Sequence, residues 1–216
     1  MKIIKESDPN YPKNLIGLKG SPKLLYLNGK LLKKDRFAVA IVGTRDVTKY
    51  GREIASEFSY ELAKNDLTIV SGMARGIDTI AHKSALKAGG RTIAVLGSGL
   101  DVIYPPENRN LYNEIVEHGA VVSEFKPGTM PYGKHFLARN RIISGISLAI
   151  LVVEGKERSG TLSTATHAAV QGREVFAIPG PINSPQSYAP NYLIENGARV
   201  AKTPQDIVEY IRQVKL

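Results

Sequence analysis

The sequence predicts the α/β class: a Rossmann-like domain with a mainly parallel sheet and helices on both faces. Three observations predict it. From residue 37 onward, short apolar runs of strand length alternate with stretches of helical spacing 10–15 residues long. The apolar runs are continuous, as strands covered on both faces require. Glycines stand where the helices should stop, at Gly89-Gly90 and Gly119.

The elements follow in order. Residues 1–36 are a lead-in segment packed on the main domain, punctuated by Tyr11-Pro12, Ser21-Pro22 and Asn28-Gly29, with Leu24-Leu25-Tyr26-Leu27 as an edge strand. Residues 37–216 form the main domain. Within it, 37–42 reads as a buried strand, and 50–64 as a helix from the spacing of Ile54, Phe58 and Leu62. A strand at 67–70, a helix at 77–86 and a strand at 92–96 come next. The alternation continues with a helix at 107–118, a strand at 120–123, a helix at 136–146 and the most apolar strand, 148–153. A helix at 162–170 and a strand at 174–178 complete the repeating part. Helices at 188–196 and 204–214 flank a last short strand at 199–201. Such alternation implies right-handed βαβ units.

The net charge of +9 is unevenly spread. Residues 1–36 hold nine Lys/Arg against three acids, whereas 37–216 hold twenty against seventeen. The excess points to polyanions but says little about a site in the main domain. No cysteine is present, which excludes disulfides and thiolate chemistry. No apolar run approaches the ~20 residues of a membrane helix, and the N-terminus has no signal-peptide core, so a soluble cytoplasmic protein is the expectation. His82, His118, His135 and His167 sit on separate elements without metal-ligand spacing. Gly97-Ser98-Gly99 lacks the third glycine of a dinucleotide fingerprint. No cofactor, metal or catalytic residue is therefore expected. Glu124 and Glu154 end strands, where they either face a site or satisfy nearby donors.

Ligands of an open parallel sheet collect beyond the C-terminal strand ends, and four features fall there. Gly43-Thr44-Arg45 offers a closely approachable backbone, a hydroxyl and a guanidinium fork to a phosphate, or is an ordinary turn. Ser71-Gly72, leading into Met73-Ala74-Arg75-Gly76-Ile77-Asp78, opens a helix whose N–H groups suit an anion, unless Asp78 bonds them locally. Ser159-Gly160-Thr161 presents hydroxyls and N–H groups after the strongest strand, though Ser163 or Thr164 could merely cap the helix there. The segment from Lys134 through Phe136 to Arg139, Asn140 and Arg141 joins cations to a ring, as single-stranded nucleic acid requires. Arg139 and Arg141 point roughly 200° apart on a helix, so one should face a ligand and the other be structural.

Taken together these stretches resemble the DNA-processing protein A (DprA/Smf) family. The resemblance is carried by Val42-Gly43-Thr44-Arg45, Ser71 through Asp78, Ala81-His82, Tyr104-Pro105, Ser123-Glu124 and Phe136 through Gly145. Val153-Glu154, Ser159 through Ala165, Pro179-Gly180 and Asn191 through Ala198 continue it over about 160 residues. It implies an extended Rossmann fold, a homodimer, single-stranded DNA binding, and delivery of that DNA to the RecA recombinase in natural transformation, without enzymatic activity. Family DNA-contacting positions map onto Arg45 and Phe136. Lys134 stands one residue from the place of a family lysine, taken here by Gly133. The chain departs from the pattern at Ala189-Pro190, where a glycine is usual, and has no room for the additional domains many members carry. A dimer face is sought in the apolar positions Ile207, Tyr210, Ile211 and Val214, which could equally cap the chain's own sheet.

The competing class is a nucleotide-binding protein or nucleoside-monophosphate phosphoribohydrolase of the same topology. Those enzymes use a Gly-Gly-x-Gly-Thr-x-x-Glu loop, and here Thr164 takes the place of its acid.

Overall fold

A computed structural model describes residues 1–214. One nine-stranded sheet organises the chain: β1 (Lys2–Lys5), β2 (Leu24–Gly29), β3 (Ala38–Val42), β4 (Thr68–Ser71), β5 (Thr92–Val95), β6 (Ala120–Ser123), β7 (Ala149–Val152), β8 (Glu174–Ala177) and β9 (Arg199–Val200). Its spatial order is β1-β2-β6-β5-β4-β3-β7-β8-β9. From β6 to β9 every pairing is parallel, while β1 and β2 run antiparallel. The chain winds outward from β3 through β4, β5 and β6, then returns to the other side of β3 with β7. The switch point of this mainly parallel, Rossmann-like sheet is thus the β3/β7 boundary.

The helices are α1 (Lys49–Lys64), α2 (Ile77–Lys87), α3 (Arg109–His118), α4 (Gly133–Ile146), α5 (Gly160–Val170), α6 (Tyr188–Glu195) and α7 (Pro204–Val214). Alternate strand residues feed opposite layers. Ala38, Ala40 and Val42 pack with Ile142, Ile143 and Ile146 of α4, and with Ala165 and Ala168 of α5. Val39 and Ile41 pack with Phe58 and Leu62 of α1, Ile77 of α2 and Ile207 of α7. Leu111 and Ile115 of α3 close the second face over Ala94 and Val121.

Two expectations need correction. The run at 24–27 is not an edge strand: it extends to Gly29 and lies between β1 and β6. The edge is β1, Lys-Ile-Ile-Lys, too short to carry a period. Residues 1–36 thereby complete the same sheet. Tyr11 and Leu15 are buried against α4, and the backbone is held by Asn14 Nδ2 to the Ile146 carbonyl (2.7 Å) and by Arg173 to the Asn14 carbonyl (2.7 Å). The C-terminal stripe offered as a dimer face is also used internally. Ile207 and Ile211 are fully buried, Tyr210 is partly buried and packs edge-on to Phe176, and Val214 is half exposed. The helix α7 caps the sheet, as its amphipathic pattern demands once one face is apolar.

Candidate functional site

The loops after β3 and β7 part at the switch point and leave a cavity of about 600 Å³. Its walls come from the β3–α1 loop (Gly43 to Asp46), from α4 (Phe136, Arg139, Asn140) and from the loop into α5 (Lys156 to Thr161). Four cations, Arg45, Arg139, Lys156 and Arg158, meet two carboxylates, Asp46 and Asp78. The balance favours an anion.

The helices that follow β3, β4 and β7 (α1, α2 and α5) differ in what satisfies their N-termini, and α4, whose first residue Gly133 also lines the cavity, has no side-chain cap. The Thr48 side chain caps α1 by accepting from Gly51 N (3.0 Å). Buried Glu154 supports that cap by accepting from Thr48 N (3.1 Å) and Thr48 Oγ1. The loop before α2 is filled by its own acid: Asp78 accepts from Gly72 N (3.1 Å) and Ala74 N (3.3 Å). Helix α5 has neither device. Its N-cap Ser159 makes no side-chain cap bond, and its first turn holds no acid. The Thr164 hydroxyl turns back to the Gly160 carbonyl (3.3 Å). The first-turn N–H groups and positive end of α5 are therefore without a capping side chain, as an anion-binding helix end requires. The buried Ser159 Oγ and Arg139 Nε, both on cavity-lining residues, have no hydrogen-bond partner.

Beside this anion seat stands Phe136, half-buried, with Arg45 at 5.4 Å and Arg139 at 5.8 Å from its ring centre and Tyr104 tilted against it at 5.7 Å. The cations hold the ring by its negative face. Arg139 itself points inward. Its Nη1 donates to the carbonyls of Gly72 (2.7 Å) and Val95 (2.6 Å), and a side chain at Gly72 would collide with the guanidinium. Burial lowers the Arg139 pKa to about 10, with Asp78 opposing the shift. Burial raises that of Asp78, which Arg139 partly offsets. Behind them, burial and the Arg139 charge hold His82 neutral, its pKa lowered to about 3.

The cavity gathers Gly43, Thr44, Arg45, Phe136, Arg139, Asn140, Ser159, Gly160 and Thr161. It does not gather the others. Ser71 is buried in the sheet and donates to the Ile41 carbonyl (2.7 Å), while Gly72 serves as the seat of Arg139. Lys134 is exposed on the first turn of α4, beside the cavity wall at Gly133. Arg141 is paired with Glu124 through two bonds (2.7 and 2.6 Å) and donates to the Gly20 carbonyl (2.8 Å), so it ties the N-terminal segment to α4. Both arginines of the helix are thus engaged with the protein itself, not one. Glu124 and Glu154 satisfy donors. Lys156 and Arg158 are additional cavity residues, and the loop's basic composition was their signal. Lys156 bonds Asp46 (3.1 Å), which also accepts from Gln186 (3.1 Å), so the rim is braced. Among the described residues no His/Cys/Asp/Glu group could hold a metal, and no helix is long and apolar enough to cross a membrane.

Residues 2–212 match the family model for DNA recombination-mediator protein A. The chain is 45% identical to Protein Smf of Escherichia coli (strain K12) over 203 residues, which is 94% of this chain and 54% of that protein. It is 43% identical to the DNA processing protein DprA of Bacillus subtilis (strain 168), over 94% of this chain and 69% of that one. The chain therefore spans between about half and two thirds of these relatives. Among solved structures, DprA from Streptococcus pneumoniae superposes with a TM-score of 0.91 at 42% identity, over 96% of this chain and 73% of that one. DNA processing protein A from Helicobacter pylori, described for its single-stranded DNA binding mode, gives 0.84 at 33% identity, over 97% and 99% of the two chains.

Proposed function

Because the chain belongs to the DNA recombination-mediator protein A family, we propose that it binds single-stranded DNA in the switch-point cavity and does no chemistry on it. The observation that carries the reading is the uncapped N-terminus of α5, facing the same cavity as Arg45 and Phe136. A phosphate takes the free N–H groups and cations, and a base stacks on the ring. A half-buried stacking ring in a cleft suits an unpaired base. Fluorescence anisotropy with labelled single-stranded and duplex oligonucleotides at two salt concentrations tests this. Preference for the single strand, weakening with salt, is expected; equal affinity for duplex overturns it.

The family resemblance extends the proposal to a cytoplasmic homodimer that hands the strand to RecA. Support for this part is the resemblance alone. A dimer would gain avidity on long strands. Light scattering at micromolar concentration, paired with a RecA filament assay, tests it; a monomer that fails to speed filament growth leaves DNA binding alone.

A further inference from the structure

The opposite pole of the sheet carries a second cavity, remote in the fold from the switch point. It is a cleft of about 330 Å³ between residues 9–14 and the β2–β3 loop, residues 31–36. Its accessible apolar lining is Pro9, Pro12, Leu31 and the exposed Leu32, set against Tyr11, Ile93 and Ile146, which are themselves buried. Its rim carries Lys13, Lys33 and Arg36, all exposed. Among the described residues none of these three is in an ion pair; Arg36 lies over the Phe37 ring at 4.5 Å. The one acid in the cleft, Asp35, is buried and spent: it accepts from Arg91 Nε (2.8 Å), Thr68 Oγ1 (2.9 Å) and Leu32 N (2.7 Å).

We infer that this cleft docks an acidic peptide segment bearing one large apolar side chain. The rim selects acid by charge. The apolar lining selects against a nucleobase. A base inserted there would bring polar edges, and among the described residues no buried side-chain atom lining the cleft is left unpartnered to meet them, so that only the exposed rim, Asn10 and the three cations, could. The Asn14 amide in the wall is already given to the Arg36 and Ile146 carbonyls. An apolar anchor loses nothing on entering such a lining, whereas an unpaired polar edge loses its water. The inference is independent of DNA binding at the switch point.

The test uses the full chain and a fluorescein-labelled nonapeptide of eight aspartates around a central phenylalanine, followed by anisotropy. The phenylalanine peptide should bind, and its alanine counterpart about tenfold more weakly. The K33E/R36E double variant should lose roughly tenfold in affinity, and K13E a few-fold, with melting temperatures close to the parent because all three positions are exposed. R45A should leave the peptide's affinity unchanged, and an excess of a twenty-nucleotide oligo-dT should not displace it. Equal binding of the alanine peptide reduces the effect to polyanion attraction and overturns the inference. Displacement by oligo-dT overturns it in favour of a nucleic-acid surface. Folded charge-reversal variants that bind as well as the parent overturn it by placing the peptide elsewhere.

Discussion

At the scale of single residues, Arg45 and Phe136 should separate the two halves of binding. Arg45→Ala removes one exposed cation near the phosphate seat, and the slope of log affinity against log salt should flatten by roughly one unit. Phe136→Ala should cost about 1–3 kcal/mol with the slope little changed. A Phe136→Ala protein that melts far lower yet binds normally would make the ring a packing residue only. His82 gives a pH signature. Folded, it stays neutral down to about pH 3, whereas in the unfolded chain it protonates near 6.5. Between those values the unfolded state holds the extra proton, so His82 makes stability fall as pH falls, by up to about 1.4 kcal/mol per pH unit. Asp78, with its pKa raised, works the other way, since the folded state binds its proton more readily. Denaturant titrations between pH 7 and 4 should show a shallower decline for His82→Gln than for the parent; identical slopes would remove His82 from the account. Arg45, Phe136 and Ser159 through Thr161 were legible in the sequence because small residues, hydroxyls and cations cluster after strands. The inward turn of Arg139 was not. Helical spacing tells which residues share a face, but whether that face meets a ligand or the carbonyls of Gly72 and Val95 depends on strands more than forty positions away.

At the scale of elements, the contrast among the three helix starts yields an opposite-sign prediction. Gly160 is exposed at the first position of α5, and a side chain there meets only the Asn140 amide nitrogen, at 3.9 Å. Gly160→Asp should stabilise the helix by about 0.5–1 kcal/mol through backbone entropy, and add a favourable carboxylate at the N-terminus. The same carboxylate occupies the anion seat, so DNA affinity should fall by about tenfold or more. Thermal melting and anisotropy on one sample read both effects. A variant that melts higher and binds undiminished would show that the strand does not use this helix end. Element positions were largely readable, since continuous apolar runs and terminal glycines are local signals. The role of Asp78 as occupant of the α2 start was left open by the sequence, because a first-turn acid serves equally to fill a loop or to line a site. The three-dimensional bonds to Gly72 N and Ala74 N decide it.

At the scale of the whole molecule, the charge excess of residues 1–36 sits on the β1–β2 side of the sheet, whereas the cavity opens at the β3/β7 boundary. Composition separated them, but it could not show that the lead-in supplies two strands, because β1 is four residues long and pairs only with β2. The cavity itself is assembled from loops that stand more than a hundred positions apart in the chain, from Gly43 to Thr161. An unfolded chain has no such seat. Ligand and fold are consequently linked by mass action: a strand that binds only the native form must raise the free energy of unfolding by about 2.7 kcal/mol at a hundred times its Kd. For a chain of this size that is a rise in Tm of roughly 5–10 °C. Differential scanning fluorimetry against oligonucleotide concentration measures it, and at the same oligonucleotide concentration the increment should drop to about half or less in Gly160→Asp. If the switch-point cavity holds single-stranded DNA as proposed, that DNA is a folding ligand, and the native state outlasts its unliganded stability for as long as a strand is held.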